Sequence, residues 1–301
     1  MSTDSPRHEI ARKTVVYQVA TDAVTIRRDV PYGVEQGEQR TLDLYHPPEH
    51  AGSDRPSPAV LFVTGYPDAG MRRMLGCIAK EMASYVSWAR LVAASGMVGI
   101  TYENRTPPAD AMAVVQYVQR NASSLGIDTT RIAVWACSGN APTALSVLMD
   151  RSAAPACAVL CYGYMLDVDG AHDVADAARA IRFANPSAGR TVEDLPPDLP
   201  MFVVRAGRDQ TAGLNASIDM FVVHALAFNR PVTLVNHHTA PHAFDILDNG
   251  DASRGIIRQI VAFLQFHLGV SSGGRAVGGH GFLDRREERP LAEAGHEPEP
   301  R

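Results

Sequence analysis

The spacing of apolar positions changes once along the chain. Up to residue 45 it marks three extended stretches, residues 15–20, 24–30 and 40–45, with turn residues such as Pro31, Gly33 and Gly37 between them, which predicts an antiparallel run. From residue 58 onward short apolar segments alternate with longer helical ones, the pattern of strand–helix–strand crossovers and a parallel sheet. Strands are predicted over residues 58–64, 97–102, 131–136, 158–162, 201–206 and 231–236, each almost wholly apolar, as a strand covered on both faces must be. Helical periodicity predicts helices over 87–94, ended by Gly96, and over 109–125, ended by Gly126. A last helix over 256–268 carries Ile256, Ile257, Ile260, Val261 and Leu264 at helical spacing. The expectation is one α/β domain over residues 15–270 behind a polar leader of residues 1–14.

Composition narrows the function classes. The 301 residues are 46% apolar and 20% charged, which suits a globular chain with a sizeable core. The 28 basic against 33 acidic side chains leave a net charge of -5, so nothing draws the chain to phosphate backbones or an anionic membrane. The longest apolar runs, such as residues 58–63, fall far short of the roughly 18 to 20 residues that cross a bilayer. The first 13 residues mix both charge signs and lack the apolar block of a secretory signal, so a cytoplasmic location is expected. Cys77, Cys137, Cys157 and Cys161 are too few for a disulfide framework, and the last two fall in an apolar strand as free thiols. Residues 271–301 turn to glycine, then alternating Arg and Glu, then proline, and are expected to be a disordered tail.

One segment concentrates chemistry. Arg131-Ile-Ala-Val-Trp-Ala-Cys-Ser-Gly-Asn-Ala141 is an apolar strand that runs through Ser138 into a helix holding Ala144, Leu145, Val147 and Leu148. A nucleophile elbow needs this order: strained backbone at the central residue lifts its side chain above the sheet, and small residues two positions either side avoid a clash. The flanks here are Ala136 and Asn140, where the usual pattern has Gly and Gly; a serine that merely caps a helix is the plain alternative.

The elbow, the long helix before it and the Gly126-Ile-Asp128 turn resemble the corresponding stretch of α/β-hydrolases, and the resemblance runs from about residue 40 to residue 268. It points to the serine esterase and dienelactone-hydrolase-like branch. The resemblance implies a mostly parallel twisted sheet with N-terminal antiparallel strands and helices on both faces, and it maps the nucleophile to Ser138. Cys137 competes, because dienelactone hydrolases similar to this chain use a Cys at the elbow. Moving the frame back by one, however, puts Trp135 where a small residue is required. Phe62-Val-Thr-Gly-Tyr-Pro-Asp-Ala-Gly70 resembles the family's His-Gly-x-Pro motif with Thr64 in place of His, which implies an oxyanion hole from the N–H groups of Tyr66 and Gly139.

A serine needs a His to take its proton and a carboxylate to orient that His, and family order puts them after later strands. This implies Asp209, in Ala206-Gly-Arg-Asp209, and His242, which precedes Ala-Phe244; Asp167 and Asp169 compete for the carboxylate role. Cys137, Tyr162, Tyr164, Met165 and His238 are expected to line the substrate pocket, with His237 doing the same or supporting the loop. The group His237, His238, His242 and Asp245 lacks the spacing of a metal site, and neither a metal nor another cofactor is expected. Residues 165–200 are where related enzymes put a lid, and they read equally well as an ordinary crossover helix with a long return loop. The implied activity is hydrolysis of a small uncharged carboxylic ester through an acyl-enzyme. Lactone, thioester and peptide hydrolysis and cofactor-free perhydrolysis share the machinery, and a non-catalytic ligand-binding protein of the same fold is the alternative of another class. A small-molecule ester is the partner expected, with neither nucleic acid nor membrane.

Overall fold

A computed structural model describes residues 6–35, 37–48 and 55–270. Eight strands form one sheet: β1 (Thr25–Glu35), β2 (Glu38–His46), β3 (Ser57–Phe62), β4 (Val98–Tyr102), β5 (Ile127–Cys137), β6 (Cys157–Cys161), β7 (Met201–Ala206) and β8 (Val232–His237), in the spatial order β1-β2-β4-β3-β5-β6-β7-β8. The pairs β1–β2 and β2–β4 are antiparallel, and every pair from β4 to β8 is parallel. The helices are α1 (Pro6–Ala11), α2 (Asp68–Leu75), α3 (Ala83–Ala94), α4 (Ala109–Arg120), α5 (Ala122–Leu125), α6 (Ala141–Leu148), α7 (Asp173–Ile181), α8 (Leu214–Ala227), α9 (Phe244–Leu247) and α10 (Asp251–His267). None of them is long and apolar enough to cross a membrane.

The change of apolar spacing near residue 45 thus marks the passage from antiparallel edge to parallel body. Four sequence expectations need correction. Residues 15–20 are not a strand: the Val15 N–H donates to Ser87 Oγ at 3.0 Å and the Val16 N–H to the Asp245 carbonyl at 2.8 Å, so their backbone groups serve α3 and α9 rather than a ladder. Helix 109–125 breaks at Asn121, whose side-chain amide donates to the Tyr117 carbonyl at 2.8 Å and closes α4 before the short α5 begins. Strand β5 begins at Ile127, well before residue 131, pairing Ser57 with Ile127 before the register shifts to Ala59 with Ile132. Strand β8 ends the sheet among the described residues, and it is not covered on both faces: Thr233, Leu234 and Asn236 are exposed. The expected leader and tail fall partly or wholly outside the described residues; within the leader, residues 6–11 form α1, whose Ala11 joins the core.

Two crossovers position the site. From β3 the chain returns to the sheet as β4 on one side and then as β5 on the other, so the β3 and β5 carboxyl ends flank a topological switch point, where a crevice opens in sheets of this kind. Beneath that point lies an aromatic cluster. The Trp135 ring of β5 meets Phe62 of β3 at 5.3 Å and Tyr85 and Trp88 of α3 at 6.2 and 5.3 Å. Trp135 is buried, and its ring contacts are aromatic packing. Trp135→Ala is expected to cost about 3–5 kcal/mol in chemical denaturation, the usual range for a large aromatic removed from a core.

Candidate active site

Strand β5 stays extended through Cys137 and the next residue, Ser138, turns to φ +54°, a left-handed conformation that few side chains adopt. A single 3₁₀ turn over Ser138–Asn140 then leads into α6, with a proline early in its first turn where no N–H is needed. Gly139 is tightly enclosed: a Cβ there would lie 2.5 Å from the Tyr66 hydroxyl and 2.7 Å from the Phe183 ring, and those side chains would have to shift. Gly65, in the loop after β3, is under the same constraint, since its Cβ would lie 2.7 Å from the Gly139 carbonyl oxygen.

Asn140 explains why the second flank of the turn is not glycine. Its Oδ1 accepts the Gly65 N–H at 2.7 Å and its Nδ2 donates to the Tyr85 hydroxyl at 3.0 Å, so one buried side chain ties the elbow to the β3 loop and to α3. Thr64 is anchored from β4: Asn104 Nδ2 donates to both the Thr64 carbonyl and its Oγ1 at 2.7 Å. Asp68 completes that base, accepting the Asn104 N–H at 2.8 Å while its own N–H donates to the Asn104 carbonyl at 2.7 Å. Burial, only partly countered by the Asn104 hydrogen bond, pushes the Asp68 carboxyl up to about 7.

The loops after β7 and β8 bring two further groups to the turn. His242 Nε2 lies 3.0 Å from Ser138 Oγ, and His242 Nδ1 lies 2.6 Å from Asp209 Oδ2. Asp209 Oδ1 accepts the Thr211 N–H at 2.9 Å, and the carboxylate has no exposed surface, whereas 35% of the imidazole is exposed. Burial opposes the Asp209 charge, but hydrogen bonds from His242 and Thr211 and the charge of His242 outweigh it and hold the carboxyl below the usual range. The two loops are laced together by backbone: the Gly207 N–H donates to the His237 carbonyl and the Arg208 N–H to the Ala240 carbonyl, both at 2.9 Å.

The other expected residues are distributed unevenly. Cys137 turns its thiol among Tyr85, Asn140 and Tyr162, and burial pushes it up to about 12. The Tyr162 ring packs against His242 at 5.1 Å. Tyr164 stacks on Phe183 at 5.3 Å and donates to the Ala212 carbonyl at 2.8 Å. Met165 is wholly buried, with its N–H on Ser217 Oγ at 3.2 Å, and offers no surface to a pocket. His238 is exposed, while His237 is buried and within 2.9 Å of Ser253 Oγ, supporting its loop. Asp167 accepts the Val174 and Ala175 N–H groups at the start of α7, and Asp169 pairs with His224 at 2.9 Å, so both carboxylates are engaged elsewhere. Within residues 165–200 the segment after α7 reaches the elbow, with Phe183 beside Tyr66 and the Ala184 N–H on the Gly65 carbonyl at 2.8 Å. Among the described residues no cluster of three or more His, Cys, Asp or Glu could hold a metal ion. Tyr85, Asn104 and Phe183 had no signal in the sequence, because Tyr85 meets Asn140 across 55 residues, Asn104 meets Thr64 across 40, and Phe183 meets Tyr66 from another element.

No protein-family model matches the sequence, and no curated protein does. Solved structures do. An alpha/beta hydrolase enzyme from a Medee basin deep-sea metagenome library is 18% identical with a TM-score of 0.61, covering 82% of this chain and 99% of its own. A bacterial heroin esterase is 17% identical with a TM-score of 0.63, covering 84% and 87%. A thermophilic esterase from the Planctomycetes species Thermogutta terrifontis is 19% identical with a TM-score of 0.61, covering 88% and 100%. The chain therefore has the α/β-hydrolase fold.

Two stability measurements test this reading of the loop. Asn140→Gly, although it installs the residue usual at that position, is expected to cost about 1–3 kcal/mol in chemical denaturation, because it leaves the Gly65 N–H and Tyr85 hydroxyl without their partner. Asp68 titrates near 7 when folded and near ~3.9 when unfolded. Its folded form thus keeps a proton that the unfolded chain loses, a contribution present below the unfolded value and lost as pH rises through the folded one. Asp68→Asn should therefore gain stability relative to wild type above about pH 7, read as the melting temperature against pH.

Proposed function

We propose that the protein is a serine hydrolase that cleaves small uncharged carboxylic esters through an acyl-enzyme. The observation that carries this reading is the continuous chain from Ser138 Oγ through His242 to Asp209, at 3.0 and 2.6 Å, mounted on a left-handed serine at the end of a central strand. His242 takes the Ser138 proton as Oγ attacks the ester carbonyl carbon, and Asp209 keeps Nδ1 protonated so that Nε2 is free to accept. The charge on the former carbonyl oxygen is met by the N–H groups of Tyr66 and Gly139. Collapse of the tetrahedral intermediate releases the alcohol, which takes the proton from His242, and leaves the acyl group on Ser138. A water deprotonated by His242 then attacks that ester and frees the acid.

Three features favour this chemistry over its relatives. The side chains packed beside Gly139 and His242 are the rings of Tyr66, Phe183 and Tyr162 rather than charged groups, which suits an uncharged substrate. The Cys137 thiol, pushed up to about 12, is a poor nucleophile, so the reading does not extend to Cys-dependent dienelactone hydrolysis. Two of the structural neighbours are named as esterases.

A fluorophosphonate, which reacts only with an activated serine, is expected to label the wild-type protein and not Ser138→Ala. Turnover of a short-chain nitrophenyl ester should fall by up to about a millionfold in Ser138→Ala and remain largely intact in Cys137→Ala. Asp209→Asn should lose about ten-thousandfold, because the imidazole is then free to take the wrong tautomer, while Asp167→Asn and Asp169→Asn stay near wild type. Persistent turnover in Ser138→Ala, or a collapse in Asp167→Asn or Asp169→Asn with Asp209→Asn unharmed, would overturn the assignment.

A further inference from the structure

Beneath His242 lies a second carboxylate that the proposed chemistry does not use. Asp245, on α9 three residues after His242, is wholly enclosed, and both of its oxygens accept hydrogen bonds: Oδ2 from the Trp88 indole N–H at 2.7 Å and Oδ1 from the Tyr162 hydroxyl at 2.5 Å. An indole N–H can only donate, and a phenol that donates to the other oxygen completes a cradle suited to the ionised acid. The Asp245 carbonyl accepts the Val16 N–H at 2.8 Å, so the start of α9 is also pinned from the N-terminal segment. Tyr162, the residue after β6, is held at φ +35°, a strained conformation, with its N–H on the Val204 carbonyl at 2.7 Å. That turn sends its ring edge-on against both His242, at 5.1 Å, and Phe244, at 5.6 Å.

A buried carboxylate is costly to desolvate, and a buried Asp hydrogen-bonded on both oxygens is more than packing requires. Resting on the ester-hydrolase reading above, we infer that Asp245, acting through Tyr162, is a positioning residue for His242: together they fix the imidazole and support the positive charge it carries while it holds the Ser138 proton. His242 is faced by Asp209 from the β7 loop, Ser138 from the elbow and Tyr162 from the end of β6. The titratable groups around Asp245 are Tyr162, Cys137 from β5 and Cys161 from β6, with His242 above it. Burial raises the Asp245 carboxyl above its usual range, the hydrogen bonds from Trp88 and Tyr162 and the charge of His242 only partly pulling it back, so Asp245 on α9 and His242 in the loop before it are electrostatically linked.

The test follows kcat and KM for a nitrophenyl ester, and the rate of fluorophosphonate labelling, from about pH 5 to about pH 9, which brackets ordinary histidine titration. In Tyr162→Phe, which keeps the ring and removes the hydroxyl, kcat should fall about tenfold with KM within about twofold, a fraction of what a general base supplies. The acidic limb of both profiles should move to lower pH, because a weaker buried negative charge makes protonated His242 less stable. Asp245→Asn should move the limb the same way and further. Should Asp245→Asn fail to fold, Tyr162→Phe decides alone. A Tyr162→Phe protein that folds normally and keeps both its kcat and its acidic limb overturns the inference, as does a lowered melting temperature with the limb unmoved, the signature of packing alone. In either case wild-type labelling and turnover show the hydrolase reading intact. A wild-type protein that is neither labelled nor active overturns that reading, and this inference with it.

Discussion

Everything around the site follows from the backbone of Ser138 at φ +54°. A residue held in that conformation costs free energy, and it persists only where the surroundings over-determine it. Here three chain segments crowd the turn: the loop after β3, the segment beyond β6, and the stretch from Phe183 to Ala184. A Cβ on Gly65 would strike the Gly139 carbonyl, one on Gly163 would lie 2.5 Å from the Ala141 Cβ, and one on Gly139 would strike Tyr66 and Phe183. Backbone hydrogen bonds finish the clamp, with the Tyr164 N–H on the Ser138 carbonyl and the Ala184 N–H on the Gly65 carbonyl. The strain is therefore distributed over contacts that would have to loosen together before the turn relaxed.

The polar groups under the turn are arranged with equal economy. Asn140 and Asn104 use their amides to satisfy the β3 loop, and the Asp209 loop and the His242 loop share backbone hydrogen bonds. A half-satisfied network in so dry a place would be worse than an apolar core. Asp68 and Asn104 are the exceptions: among the described residues Asp68 Oδ1 and Asn104 Oδ1 have no partner, and burial pushes the Asp68 carboxyl up to about 7. The loop after β3 thus rests on a carboxyl held well above the usual carboxylate range by burial.

Much of this was legible in the sequence because it rests on local patterns. Buried parallel strands are apolar runs, and a strand that breaks into small residues around a serine before a helix marks either a helix cap or an elbow, a choice the resemblance made. Asp209 and His242 were picked out by the resemblance, which places a carboxylate and a histidine after later strands, with Asp167 and Asp169 competing for the first role. Elements whose fate depends on distant partners were not legible. Residues 15–20 look like a strand until Ser87 and Asp245 claim their N–H groups, and 231–236 looks like an interior strand until the sheet ends beside it. Met165 reads like a pocket residue by position and is wholly buried.

By itself, then, the amino-acid order determined the alternation of strands and helices and the strand–turn–helix passage through Ser138, since these depend on side-chain period and on turn chemistry within a few residues, while Asp209 and His242 were reached through the resemblance to α/β-hydrolases. The tertiary structure alone decided which groups meet. Asn140 binds Gly65 from 75 residues away, and Trp88 reaches Asp245 across 157. Such partners are chosen by how the sheet is ordered and how closely the helices approach it, and neither leaves a trace in the spacing of residues along the chain.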